Sequence, residues 1–170
     1  MSRAFTKEDD RGAELLVVPR PPLPEGTTNY VTPRGLSQLQ AEHATLEQER
    51  RTLEALETPD RLARLNAQAQ RARELQARLA SAELVDPRTQ PRDRVRFGAR
   101  VRVRHESGVE SQYRIVGVDE ADPALGLLAF SAPLARALLG KRVGEHAALH
   151  TPRSSEELEV LEIAYGTGDP

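Results

Sequence analysis

The chain has 170 residues, of which 38% are hydrophobic, 4% aromatic and 29% charged. Its formal net charge is −2, with no basic excess in any region, which argues against a protein built to wrap DNA. It has no cysteine, so disulfide frameworks and thiolate metal sites are excluded. No apolar run nears the roughly 20 residues needed to span a bilayer. The opening M-S-R-A-F-T-K-E-D-D lacks the hydrophobic core of a signal peptide, so a soluble cytoplasmic protein without a membrane partner is expected.

Residues 1–31 include P-R-P-P-L-P-E-G from Pro19 to Gly26. Proline at this density blocks helices and sheet ladders and predicts a flexible arm, with a proline-motif ligand as the alternative. Residues 32–86 read as a helical hairpin. Thr32-Pro33 supplies an N-cap followed by Pro at the first helical position, and Thr58-Pro59 repeats the device. Leu36, Leu39, His43, Leu46, Arg50 and Leu53 recur at alternating steps of three and four. Leu62, Leu65, Ala69, Ala72, Gln76 and Leu79 do so after the second proline. Two such seams broken by one proline predict an antiparallel coiled-coil hairpin with its tip at Glu57-Thr58-Pro59-Asp60. A helix over Pro33–Glu57 would reach roughly 37 Å.

Residues 87–91, P-R-T-Q-P, read as a linker to a unit at 92–165, followed by a tail at 166–170. In that unit the period switches to two. Val95, Phe97, Val101 and Val103 alternate with Arg94, Arg96, Arg100, Arg102 and Arg104, as expected of a first strand around Gly98. Tyr113–Val118, Leu127–Phe130, Ala147–Leu149 and Leu158–Ile163 supply four more. Pro133 opens a short helix with a stripe of Leu134, Ala135, Leu138 and Leu139, and Gly140 stops it. The expected fold class is α+β: a helical hairpin plus a mostly antiparallel sheet with one short helix. Glu157 and Glu159 are expected to pair with arginines on neighbouring strands.

Several ordered motifs carry a resemblance. N-Y-V-T-P-R-G-L (29–36), A-E-L-V-D (82–86), F-G-A-R-V-R-V (97–103), Y-R-I-V-G-V-D-E-A-D (113–122), A-P-L-A-R-A-L-L-G-K-R-V-G-E (132–145), L-H-T-P (149–152) and E-E-L-E-V-L-E-I-A-Y (156–165) stand at family-like spacing. Together they resemble the GreA/GreB transcription elongation factors from Asn29 to about Tyr165. The resemblance implies a coiled-coil N-terminal domain and an FKBP-like C-terminal domain. It implies core bacterial RNA polymerase as partner, bound by a monomer at the rim of the secondary channel. The polymerase-binding loop of the family matches Ser131, Ala132, Pro133 and Leu134.

The tip departs from the family. Gre factors carry a D-x-x-E-N stretch there, whose acids help hold a Mg²⁺ in the polymerase active site; this chain has none. The candidate acids are Glu57 and Asp60, read either as a metal-directing pair or as ordinary side chains, Asp60 favoured by the helix dipole. The chain has no cofactor of its own in this reading, only the Mg²⁺ shared with the polymerase. Residues 32–85 also fall about one heptad per arm short of the family's hairpin, or roughly 10 Å. In coil length the chain is nearer to short-coiled relatives such as Rnk. Transcript-cleavage stimulation is therefore in doubt, and a non-cleaving competitor of Gre factors is the alternative.

Arg64, Arg71 and Arg78 recur every seven residues, with Arg61 nearby. The resemblance makes them candidates for contact with nascent RNA; the alternative is a solvated flank paired with Glu47, Glu54 or Glu74. The four histidines are scattered, without metal-ligand spacing. A prolyl isomerase or chaperone is the rival from another class. The chain is not expected to be an enzyme itself.

Overall fold

A computed structural model describes residues 19–150 and 155–166. The elements run β1 (Asn29–Val31), α1 (Pro33–Ala55), α2 (Arg61–Ala80), β2 (Ala82–Leu84), β3 (Arg100–His105), β4 (Glu110–Val116), β5 (Leu127–Ala129), α3 (Pro133–Leu138), β6 (His146–His150) and β7 (Ser155–Ala164). The α+β expectation holds.

Helix α1 starts as its sequence dictates. Thr32 Oγ1 accepts from the Gly35 amide at 2.9 Å, and Pro33 occupies the first turn, where a missing amide hydrogen costs nothing. Its 23 residues span about 34 Å. The second start differs from expectation. Thr58 is not the cap and Pro59 is not in the helix; α2 begins at Arg61, after Asp60 in a helical conformation with no side-chain cap. The Arg61 amide donates to the Thr58 carbonyl at 3.1 Å, so residues 58–61 form a turn that uses up the groups a Thr58 cap would need.

The helices run antiparallel. Gln68 Nε2 donates to the Leu46 carbonyl at 2.9 Å, and nearer the tip Arg61 Nη1 reaches the Glu54 carbonyl at 3.4 Å. Leu39, Leu46 and Leu53 are buried on α1 as expected. On α2 the register shifts. The buried positions are Gln68 and Leu75, where Ala69 and Gln76 were expected, and Leu62 is 70% exposed. Leu65, Ala72 and Leu79 belong to both registers; burying Leu75 in place of Gln76 decides between them. The seam's polar member is Gln68, satisfied by a main-chain oxygen.

The five-stranded sheet has the order β5-β4-β3-β7-β6, antiparallel throughout except for β4 beside β5. Val101, Val103, Ile115, Leu158 and Val160 point to one face, where Ala135 and Leu138 of α3 close the core. On the other face Arg104 pairs with Glu159 at 3.2 Å and Arg102 with Glu162 at 3.0 Å. The second expected acid, Glu157, instead lies 3.7 Å from His146. Gly140, at φ +83°, ends α3 as expected.

One further expectation fails for a physical reason. Val95 and Phe97 are not in a strand, because Gly98 at φ +82° turns the chain before β3 begins. Val95 is still buried, its amide donating to the Lys141 carbonyl at 2.7 Å. Pro87 of the expected linker is buried against Gly98, so residues 87–91 begin with a fixed turn (Pro87–Thr89).

The flexible arm also needs correction from Pro19 onward; residues 1–18 lie outside the described residues. Strand β1 pairs in parallel with β2 at the base of the hairpin, Asn29 opposite Ala82 and Val31 opposite Leu84. Proline content forbids a ladder within the Pro-rich stretch but not anchoring by side chains and carbonyls, which is what holds Pro19–Pro24.

Candidate functional site

The short helix α3 presents the loop singled out in the sequence. The Phe130 amide donates to the Val116 carbonyl at 2.9 Å, which ties the loop to β4. The Ala132 amide then donates to the Ala129 carbonyl at 2.8 Å. Ala132 is extended (φ −66°, ψ 147°), as a residue before proline prefers, and Pro133 begins the helix. The four candidates divide by environment. Pro133 is exposed, Ser131 is half-buried, and Ala132 and Leu134 pack against the sheet core. A rigid ring thus projects from a loop anchored on both sides.

At the far end, Glu57 and Asp60 are both exposed. Asp60 lies 3.8 Å from Arg64, and Glu57 makes no ion pair among the described residues. No group of three or more histidines, aspartates or glutamates that could hold a metal occurs among the described residues. Leu56 and Leu62 add exposed apolar surface at the tip.

The basic stripe is not continuous. Arg61, Arg64 and Arg71 are exposed, with Arg71 3.3 Å from Glu49 on the opposite helix. Arg78 is different and drops out as a contact for RNA: its side chain is 7% exposed, with Nε 3.2 Å from Asp119 Oδ2 and Nη2 donating to the Pro21 carbonyl. The seven-residue spacing placed Arg78 on the right face of the helix, but at the level where the sheet unit covers that face.

That junction is where sequence reasoning saw least. The turn Val118–Glu120 after β4 offers two acids to the hairpin base. Glu120 Oε2 accepts from the Thr32 hydroxyl at 2.5 Å, while the same hydroxyl oxygen caps α1. Asp119 faces two guanidinium groups, Arg78 on one oxygen and Arg20 Nη1, at 2.5 Å, on the other. Arg20 also places Nη2 2.6 Å from Glu42 of α1, and its amide donates to Glu74 of α2 at 3.1 Å. Burial alone would lower the Arg20 pKa, but the hydrogen bonds to Glu42 and Asp119 outweigh it and hold the group above its ordinary value. The Glu74 carboxyl is lowered, first by the Arg20 amide and then by Gln70. Beside this cluster the rings of Tyr30, Phe97 and Phe130 meet, with centroids 5.7–5.8 Å apart. Gly117 lets the chain pass close: a Cβ there would lie 2.8 Å from the Tyr30 carbonyl oxygen. The adjacent acids in V-D-E-A-D were the available signal for this contact.

Residues 90–165, the sheet unit with its α3 loop, match the family model described as "Transcription elongation factor, GreA/GreB, C-term". The sheet unit is a GreA/GreB C-terminal domain. It is 40% identical over 97 residues to the transcription elongation factor GreA of Psychrobacter arcticus, a match covering 56% of this chain and 61% of that one. It is 39% identical over 107 residues to GreA of a Nitratiruptor species, covering 62% and 64%. The chain thus spans roughly three fifths of the length of the curated relatives it matches. Among solved structures, a GreA/GreB factor from Nitrosomonas europaea aligns over 82% of this chain and 99% of its own, at 25% identity and a TM-score of 0.40. Neither the family model nor the GreA relatives lend support to the prolyl isomerase alternative. No helix among the described residues is long and apolar enough to cross a membrane.

Proposed function

We propose that this protein belongs to the GreA/GreB family and regulates transcription elongation by binding core bacterial RNA polymerase at the rim of the secondary channel. The observation that carries this is the exposed Pro133, held at the start of α3 inside the segment that matches the family. A proline ring loses little entropy on contact, so it suits a small apolar interface. Ser131 contributes the polar edge of that contact, and Leu134 positions it from the core side. The protein acts as a monomer in the cytoplasm and supplies no reaction chemistry of its own.

In this reading the hairpin occupies the channel but stimulates cleavage weakly or not at all. The tip does not fit a metal site: it has two exposed carboxylates on either side of a turn, one of them facing Arg64. Mg²⁺ ligands must approach within about 2.1 Å, so a tip roughly 10 Å short leaves the polymerase's ion beyond reach. Contact with nascent RNA falls to Arg61, Arg64 and Arg71. The test is competition: added to a cleavage reaction driven by an ordinary Gre factor, this protein slows it in a dose-dependent way. Undiminished cleavage at saturating protein contradicts the reading. On backtracked complexes without that factor, wild type and the Glu57→Ala/Asp60→Ala variant give the same low cleavage.

A further inference from the structure

We infer that the segment Pro19–Pro24 is a strap, and that Arg20 is a positioning residue which locks the hairpin to the C-terminal domain and fixes the direction in which the tip projects. Three observations converge on Arg20. Its guanidinium joins the two units directly, holding Glu42 of α1 at 2.6 Å with one nitrogen and Asp119 of the sheet unit at 2.5 Å with the other. Its amide fixes it to α2 through Glu74. The next residue, Pro21, offers its carbonyl to Arg78, the other cation on Asp119, so strap, α2 and sheet unit close on one carboxylate.

Burial makes these contacts consequential. The side chains of Arg78 and Asp119 are 7% and 8% exposed, and that of Arg20 is 17% exposed, so the charges are poorly screened. A guanidinium can serve two carboxylates from a rigid fork, which an ammonium cannot match. Prolines 19, 21, 22 and 24 restrict the unfastened segment, so less freedom is lost when it seats. Two other junction contacts, Thr32 with Glu120 and the three rings, lie close to the pivot where β1 enters α1. Glu42 stands ten residues further along α1, about 15 Å from that pivot, so Arg20 works on a longer lever arm. The strap lies upstream of Asn29, before the motifs that carry the family resemblance.

The inference rests on the proposed function only for its purpose, since aiming the hairpin matters if the tip must enter a channel while Pro133 docks at the rim. Its test needs no polymerase. The chain has no native cysteine, so spin labels at Glu57→Cys on the tip and Val109→Cys on the β3–β4 turn are specific. Double electron–electron resonance then reads their distance in the full chain. With Arg20 intact the distribution is narrow. Arg20→Ala roughly doubles its width while helicity by circular dichroism stays unchanged, and Arg20→Lys falls between the two. Glu42→Gln, which removes one of the two bridged charges at constant shape, broadens it as well. An unchanged distribution in Arg20→Ala overturns the inference; if that variant loses helicity, an unchanged distribution in Glu42→Gln does so instead. Broadening without any polymerase binding by wild type would leave the strap standing and remove the proposed function.

Discussion

Replacing Asp119 by alanine tests whether the junction is held by charge. Asp119 takes Arg20 on Oδ1 at 2.5 Å and faces Arg78 Nε with Oδ2 at 3.2 Å. The Arg78 contact is ionic rather than an aligned hydrogen bond, since Asp119 Oδ2 has no hydrogen-bond partner. Removing one member of a buried pair costs about 3–5 kcal/mol, mostly from the charge left behind. Arg20 keeps Glu42, so only Arg78 is stranded, and the expected loss is at the low end, about 3 kcal/mol. For a protein of this size that is a fall in Tm of about 6–12 °C. Urea titrations followed by circular dichroism at 222 nm measure it. Replacing the pair together, as Asp119→Leu with Arg78→Met, should recover more than half of the loss, because no unpaired charge is left buried while Arg20 keeps Glu42. A loss below about 1 kcal/mol in Asp119→Ala, or a double variant weaker than the single one, refutes the reasoning.

Gly98→Ala should destabilise by about 3 kcal/mol in the same titration, because φ is +82° and the new Cβ would lie 2.6 Å from Pro87 Cγ. Tyr165→Phe removes a hydroxyl that donates to the Arg94 carbonyl at 2.6 Å and accepts from the Arg96 amide at 2.9 Å, a loss of about 1–3 kcal/mol at neutral pH. Burial raises the Tyr165 phenol above its ordinary pKa, so its contribution is complete below pH 10 and is lost as pH rises through the folded-state value. The gap between wild type and Tyr165→Phe should therefore narrow in denaturation series taken above pH 10; a constant gap contradicts the assignment.

The sequence carried the parts of the fold that local rules decide. Thr32-Pro33 and Gly140 mark helix ends by mechanisms that need only a few neighbours, and both were readable. The α2 seam shows where such rules run out. Heptads through Leu65, Ala72 and Leu79 fit either neighbour, and only packing against Leu46 selects Gln68 and Leu75. Val95 and Phe97 kept their alternation and their partial or full burial without being in a strand, because periodicity reports a face and Gly98 sets the path. At the candidate site, Pro133 was legible as a helix start, and its exposure follows from the anchored loop. Arg78 was misplaced, and Arg20, Asp119 and Glu120 were missed, for one reason. Their partners lie from 22 to 99 residues away in sequence, a separation that no periodicity encodes.

Docking of the Pro133 loop on RNA polymerase is the step on which the proposed function depends. Fluorescence anisotropy of the labelled full chain, titrated with core enzyme, measures it directly for wild type and Pro133→Asp. Pro133 is exposed and lies at the first helical position, where an aspartate suits the dipole, so the fold should be retained. A carboxylate buried in a small apolar contact should weaken binding by several kcal/mol, on the order of a hundredfold or more in Kd. Saturable binding by wild type with that loss in the variant is the predicted result. Equal affinity of the two proteins, or no binding by wild type, contradicts it.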